Sequence, residues 1–212
     1  MTLRDVKAES LRLMALGNGT EIETDDLSSL MRDVRYRSYL DAMPGAVNRA
    51  LGRLEQRRAI PPCRSSLSPL DGSVSGSVIR FDLSALIPGF FAVDRVISDS
   101  RYDYNASLDY RMEGDTLVLP FDLIQNGSQV SVLYFPLLPR ISSATPDSFS
   151  FPLPDRATAL IPYYVKSDLF NEDEPGEAAA ARNIFEAALD ELSCQSFGFS
   201  HSVSDIYRFS EV

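Results

Sequence analysis

Few side chains in this 212-residue sequence have the type and spacing that catalysis requires. His201 is the only histidine, and nothing in its sequence context predicts a Ser-His-Asp or Cys-His arrangement. Cys63 and Cys194 lie far apart and in no metal-type spacing, so we expect free thiols that pack as small apolar side chains in a reducing compartment. No acid, base or nucleophile set converges. We therefore expect a protein that is not an enzyme and uses no cofactor or metal.

A run of three carboxylates, Glu172-Asp173-Glu174, is the strongest candidate for binding a hard cation. Calcium loops need oxygen ligands at alternating positions and a glycine turn, and this run has neither. The run stands directly before Pro175, a residue favoured in the first turn of a helix. We interpret it as negative charge that stabilises a helix N-terminus.

Three arginines, Arg49, Arg53 and Arg57, recur at every fourth position of a helical pattern. Side chains at that spacing share one face of a helix. Such a face is either solvated or part of a subunit interface, where arginine is enriched. Both interpretations stay open at the level of sequence.

The charge is distributed unevenly along the chain. Lys and Arg number ten against nine Asp and Glu in residues 1–60, six against ten in residues 61–150, and four against eleven in residues 151–212. Duplex-binding proteins need basic side chains against the phosphates, so sequence-specific binding of nucleic acid is not expected. A protein that surrounds a DNA channel is a different case, because an acidic channel wall would prevent the DNA from binding to it. No apolar run is long enough to span a membrane, and the mixed charges of residues 1–7 do not predict a secretory signal.

The segments that must position these side chains are helical near the start of the chain. Thr2 and Asp5 form a variant of the capping box for a first helix, which a Gly-Asn-Gly turn at 17–19 should stop. Apolar residues at helical spacing predict a short helix over 25–35 and a long one from Tyr36 that Ile60-Pro61-Pro62 ends, with Arg49, Arg53, Glu55, Arg57 and Arg58 on its outer face. Pro44 lies inside the long helix, where we expect a kink or a fresh helix start.

Between residues 67 and 141 the apolar period changes to two. Ile79, Phe81 and Leu83 alternate with polar residues, and tight turns are expected at Gly114 and Gly127. This pattern predicts an antiparallel sheet or sandwich of about four to six strands, with no helix among them.

The chain returns to helical spacing after a Ser-, Pro- and Asp-rich connector. We expect a helix from Asp155 that Pro162 bends, and a last helix from Pro175 to about Leu192. The last helix should pack on the apolar stripe of the long N-terminal helix at Val47, Leu51 and Leu54, using Ala181, Ile184, Phe185, Ala188 and Leu192. In the tail, Tyr207 and Phe209 belong to a weak alternation and are candidate interface residues, together with the three arginines.

These patterns predict an α+β fold in which N- and C-terminal helices pack together and an antiparallel β-sandwich-like domain is inserted between them. The expected parts are an N-terminal helical part (1–66), an inserted β domain that closes on itself (67–141), a C-terminal helical part that completes the helical core (142–194) and a tail (195–212).

Two segments, with the helix that follows the second, resemble a known family. They read Tyr39-Leu40-Asp41-Ala42-Met43-Pro44-Gly45-Ala46-Val47-Asn48-Arg49-Ala50-Leu51 and Leu160-Ile161-Pro162-Tyr163-Tyr164-Val165-Lys166-Ser167-Asp168-Leu169-Phe170-Asn171-Glu172-Asp173-Glu174-Pro175, followed by Ala178 to Leu189. They resemble the head-to-tail connector proteins, also called adaptor or neck proteins, of tailed bacteriophages. The positions that carry over are structural: Tyr39, Pro44, Asn48, Leu51, Pro162, Tyr163, Leu169, Pro175, Arg182 and Phe185.

The resemblance implies a structural protein of the virion, assembled in the cytoplasm of the bacterial host. Its implied form is a dodecameric ring that joins the portal to the tail and lines the DNA conduit. The expected partners are further copies of the chain, the portal protein and tail or neck proteins. No membrane partner is expected.

A second function from another class is a β-sandwich module that recognises a peptide or glycan, with the helices as a stalk. Exposed aromatic platforms would favour it, and the absence of tryptophan weakens the case for a sugar-binding face. A single assembled ring, as opposed to a monomer with a ligand pocket, would separate the two functions.

Overall fold

The computed structural model describes residues 1–16, 34–98, 108–124 and 129–196. The helices are α1 (Leu3–Leu16), α2 (Val34–Gln56), α3 (Leu83–Leu86), α4 (Asp155–Thr158), α5 (Ile161–Leu169) and α6 (Pro175–Ser196). The strands are β1 (Cys63–Leu67), β2 (Ser73–Ser75), β3 (Val78–Asp82), β4 (Phe90–Ser98), β5 (Arg111–Glu113), β6 (Thr116–Pro120) and β7 (Val130–Pro136). The expected turns at 17–19 and at Gly127, nearly all of the expected helix over 25–35, His201, Tyr207, Phe209 and the side chain of Cys194 lie outside the described part.

The strands form two antiparallel sheets, and the predicted α+β class is confirmed. One sheet has the order β1-β7-β4 and the other the order β2-β3-β6-β5. In the first, Val132 stands opposite both Ser65 and Val96; in the second, Leu117 stands opposite both Phe81 and Met112. The buried residues of both sheets face one another as a single apolar cluster, which is the arrangement of a sandwich.

The β region departs from the sequence prediction in strand number and in helix content. The described residues contain seven strands, more than expected; among them β2 is only three residues long and carries little periodic signal, whereas β5 lies in an alternation of apolar and polar residues over 108–113 that predicts a strand. Leu83 is buried as predicted, but it begins the one-turn helix α3, so the expectation of no helix was wrong. The carboxylate of Asp82 accepts from the backbone N–H of Ala85 at 3.2 Å and caps this turn. Gly114 has a φ of +64° between β5 and β6, which confirms the predicted turn.

Thr2 and Asp5 cap α1 as predicted. The two prolines at which bends were predicted, Pro44 and Pro162, differ from each other in position. The backbone N–H of Thr2 donates to Asp5 at 2.8 Å, and the N–H of Asp5 donates to the Thr2 hydroxyl at 3.3 Å. Helix α2 continues through Pro44 as one element, because the buried side chains on either side of the proline belong to the same core. Pro162 begins a helix instead of bending one: the segment from Asp155 divides into α4 and α5, and Pro162 lies in the first turn of α5.

A second apolar cluster is formed by helices from both halves of the sequence. Val6 of α1, Leu51 of α2, Val165 of α5 and Phe185 of α6 all belong to it and are fully buried. The same cluster includes Phe135, Leu138 and Ile141, which lie on β7 and the segment that follows it. The β insertion therefore does not close on itself, because its last strand and its exit complete the helical core.

Candidate functional site

Helix α2 is the element around which the predicted motif residues are arranged. Its buried stripe consists of Met43, Ala46, Val47, Ala50, Leu51 and Leu54. At about 100° per residue, Asn48 and Glu55 lie on one flank of this stripe, and Arg49, Arg53 and Arg57 lie on the other. Each flank holds a different part of the chain. We call them the amide flank and the arginine flank.

The amide flank binds the backbone of the segment that leaves β7. The side-chain amide of Asn48 donates to the carbonyl of Ile141 at 2.8 Å and accepts from the N–H of the same residue at 2.7 Å. Glu55 is only 4% exposed, and its two oxygens accept from the N–H of Leu138 at 2.6 Å and the guanidinium of Arg140 at 2.7 Å. The helical pattern alone places Glu55 on the outer face. Its burial was missed because both of its partners lie more than 80 residues away in sequence.

The chain enters the β region at the end of α2. Arg58 has a φ of +53°, a conformation that ends helices and that residues other than glycine rarely adopt. The N–H of Ala59 reaches back to the carbonyl of Leu54 at 3.0 Å and closes the helix end. The guanidinium of Arg58 lies 5.4 Å from the ring centre of Phe135 on β7. Entry to and exit from the β region therefore meet at the last turns of α2.

The arginine flank forms ion pairs within the chain. Arg49 pairs with Asp168 of α5, Arg53 with Glu186 of α6 at 2.8 Å, and Arg57 with Asp190 of α6 at 3.7 Å. The arginine side chains stay one-third to one-half exposed. The two interpretations made from the sequence, a solvated face and a subunit interface, did not include these ion pairs within the chain.

The two motif segments also meet through aromatic residues. The hydroxyl of Tyr39 donates to Asp173, and its ring lies edge-on to Phe170 with centroids 6.5 Å apart. Burial and the Asp173 carboxylate raise the pKa of Tyr39 to about 12. Thus Asp173 of the acidic run contacts α2, a role that the helix-capping interpretation did not include.

Arg182 of α6 stacks over a ring of α5. Its guanidinium lies 4.4 Å from the centre of the Tyr164 ring and 3.7 Å from Glu186. The same Tyr164 ring contacts Phe185 edge-on at 5.0 Å. Helix α6 therefore packs mainly on α5, whereas the predicted partner of Phe185 was the stripe of α2. Tyr164, Phe185 and the buried stripe of α2 nevertheless belong to one apolar cluster.

The other predicted residues differ in how deeply they are buried. Leu51, Pro162 and Phe185 are buried, Pro44, Tyr163 and Leu169 are half-buried, and Pro175 is exposed. Two predictions about burial were wrong: Ile184 is 50% exposed, and Cys63 is an exposed thiol on edge strand β1. Leu189, four residues after Phe185, takes the core position instead, and Ala188 and Leu192 are half-buried beside it.

The described ranges contain neither a metal-type cluster nor a membrane-spanning helix. No group of three or more His, Cys, Asp and Glu side chains there is placed to hold a metal ion. No described helix has the length and apolarity to cross a membrane. Comparison with protein-family models and with curated proteins finds no match to the chain.

Proposed function

We propose that the chain is a structural virion protein of a tailed phage, an adaptor ring that joins the portal to the tail and lines the DNA conduit. One observation carries the proposal. The two segments that resemble the connector family, about 120 residues apart in sequence, come together through Tyr39 with Asp173 and Arg49 with Asp168. The resulting helical core, with a β region inserted between its halves, is the architecture that the resemblance implies.

The distribution of charged residues favours a channel through which DNA passes over a surface that binds DNA. The C-terminal part, with four basic against eleven acidic residues, opposes the release of counterions that drives binding to duplex DNA. The arginines of α2 that could compensate are occupied by carboxylates of α5 and α6. We expect no retardation of a DNA duplex by the purified protein at about 150 mM salt. Retardation of the duplex at that salt concentration would contradict the proposal of an acidic channel wall that repels DNA.

The direct test is the assembly state. Native mass spectrometry of the full chain, alone and with a portal protein encoded beside it, should show a closed ring of many copies or a portal-bound ring. A monomer that the portal does not recruit would overturn the proposal. This outcome is independent of any assumption about which residues form the contact.

One feature favours the second candidate, a β-sandwich module that binds a peptide or glycan. A cleft of about 300 Å³ opens on the four-stranded sheet, and its lining includes Val78, Tyr110, Leu119 and Pro120. Clefts with mostly apolar walls and a few polar groups are typical ligand sites. A stable monomer whose Tyr110→Ala variant loses binding to a peptide or glycan array would favour this function over the ring.

A further inference from the structure

We propose that the C-terminal segment of the chain, residues 197–212, adds a strand to the outer edge of β1. The added strand extends the three-stranded sheet and covers the border of the sandwich on that side. The occupant of this edge is the chain's own segment and not a second copy or another protein. The inference concerns this segment alone and does not depend on the proposed ring.

Strand β1 is the longest sheet edge with a regular register among the described strands. Its five residues stand opposite Tyr134 to Val130 of β7 without a shift. The other edge of that sheet, β4, has two irregularities in register, and its Val96 carbonyl accepts the N–H of Leu108 at 2.9 Å. The edges of the second sheet, β2 and β5, are three residues long. Bulges and short length hinder the addition of a strand, so β1 is the edge best suited to receive one.

The charged side chain of β1 is directed away from this edge. A charged residue on an edge strand commonly hinders pairing with a further strand. The Nε of Arg64, however, donates to the hydroxyl of Ser131 on β7 at 2.9 Å. Because β7 is the middle strand of the sheet, the arginine side chain reaches inward over the sheet.

The face of β1 that points into the sandwich carries small side chains toward its start. Leu67 is buried in the apolar cluster between the two sheets, and alternate residues of a strand share a face. On that face Ser65 is half-buried and Cys63 is exposed. A neighbouring strand with large apolar side chains at alternate positions therefore buries them along this border of the cluster.

The sequence of the C-terminal segment has the alternation that such an edge requires. All of its phenylalanine and tyrosine residues occupy odd positions, and most of the even positions are glycine or serine. An alternation of apolar and polar residues is typical of a half-buried strand. The large apolar residues at odd positions are Phe197, Phe199, Val203, Tyr207 and Phe209.

The end of α6 brings the segment within reach of β1. Asp190 of α6 lies 3.7 Å from the guanidinium of Arg57, and β1 begins at Cys63, shortly after that arginine. Helix α6 ends at Ser196, about 9 Å beyond Asp190. An extended segment as long as 197–212 spans about 50 Å, whereas β1 is about 17 Å long. Attachment to the same chain also raises the effective concentration of the segment at this edge.

Hydrogen exchange of the full chain tests the added strand. Alternate amides of β1 point away from β7, and in the full chain they should exchange slowly. In a chain that ends at Ser196 they should exchange at least about tenfold faster, while the amides of β4 keep their protection. Circular dichroism checks that the shortened chain folds. Equal exchange of the outward β1 amides in the two chains would overturn the proposal.

Disulfide formation with Cys63 tests which face and which chain supply the strand. In a Cys194→Ser background, His201→Cys and Asp205→Cys place a thiol at odd positions, and Ser204→Cys at an even position is the matched control. With oxidised glutathione, an odd-position variant should form the disulfide within one chain, and the control should not. Three results would each overturn the proposal: equal reaction from both faces, disulfide-linked dimers, or no disulfide with Cys63 in any variant.

Discussion

The two flanks of α2 hold their neighbours in different ways. On the amide flank, Asn48 and Glu55 bind backbone groups of the segment Leu138–Ile141, and Glu55 is almost fully buried. On the arginine flank, partly exposed guanidinium groups meet partly exposed carboxylates of α5 and α6. The comparison shows how one helix can fix one part of the chain rigidly and another part weakly.

The two flanks differ because water reaches the ion pairs of the arginine flank and is excluded from Glu55 on the amide flank. A buried backbone N–H that loses its acceptor remains unsatisfied, so the amide flank permits a single geometry. Exposed ion pairs exchange easily for water and salt, and each contributes little to stability. We infer that the position of the β region on the helices is set by Asn48 and Glu55, while α6 depends on its apolar contact with α5.

The largest effect should come from removing that apolar contact. Phe185→Ala deletes a fully buried ring that touches Tyr164, and we expect a loss of about 3–5 kcal/mol in the free energy of unfolding. Urea unfolding of the monomer measures it, with Ile184→Ala as the exposed control. If both variants were equally stable, the ion pairs of the arginine flank, and not packing, would hold α6.

The next effect should come from the amide flank. Glu55→Ala leaves the N–H of Leu138 and the guanidinium of Arg140 without their acceptor, and we expect a loss of about 1–3 kcal/mol. Hydrogen exchange should also accelerate at the Leu138 and Ile141 amides, which would show that the exit of the β region has loosened. Glu172→Ala, at an exposed position, should change neither property. Unchanged exchange at Leu138 would break the distinction between the flanks.

A smaller effect is expected on the arginine flank. Replacing Arg49, Arg53 and Arg57 together by Gln should lower the free energy of unfolding by about 0.2–1 kcal/mol per pair at low salt. At about 1 M salt, where the Debye length is about 3 Å, the difference from the wild type should shrink. Urea unfolding at the two salt concentrations provides the measurement. A loss that is large and independent of salt would mean that these pairs behave as buried ones.

The smallest effect concerns Tyr39, where the motif segments meet. Its pKa is raised from 10.0 to about 12, so the unfolded chain ionises this phenol at lower pH than the folded chain does. The stabilisation from the neutral phenol is therefore complete below pH 10 and is lost as the pH rises toward 12. Phenolate absorbance during an alkaline titration should show a late phase that Tyr39→Phe removes. An unaltered titration curve would assign that phase to another tyrosine.

Local signals in the sequence predicted much of the fold. The reciprocal bonds of Thr2 and Asp5, the turn at Gly114 and the start of α6 at Pro175 each depend on residues a few positions apart. Proline was harder to interpret, because Pro44 is accommodated inside a helix whose packing holds both halves together. The same residue type at Pro162 begins a helix. Propensity does not distinguish these cases, since the difference lies in the packing around them.

The α+β class, the helical ends, the antiparallel middle and the apolar faces can be predicted from the order of residues, because helices and strands have periods that are visible in it. Three features are visible only in the folded chain: Glu55 is buried, the three arginines pair within the chain, and Phe135 joins the helical core. Each of these depends on a partner distant in sequence. A polar side chain on the border of an apolar stripe faces water or protein according to which distant segment covers it, and periodicity carries no record of that segment.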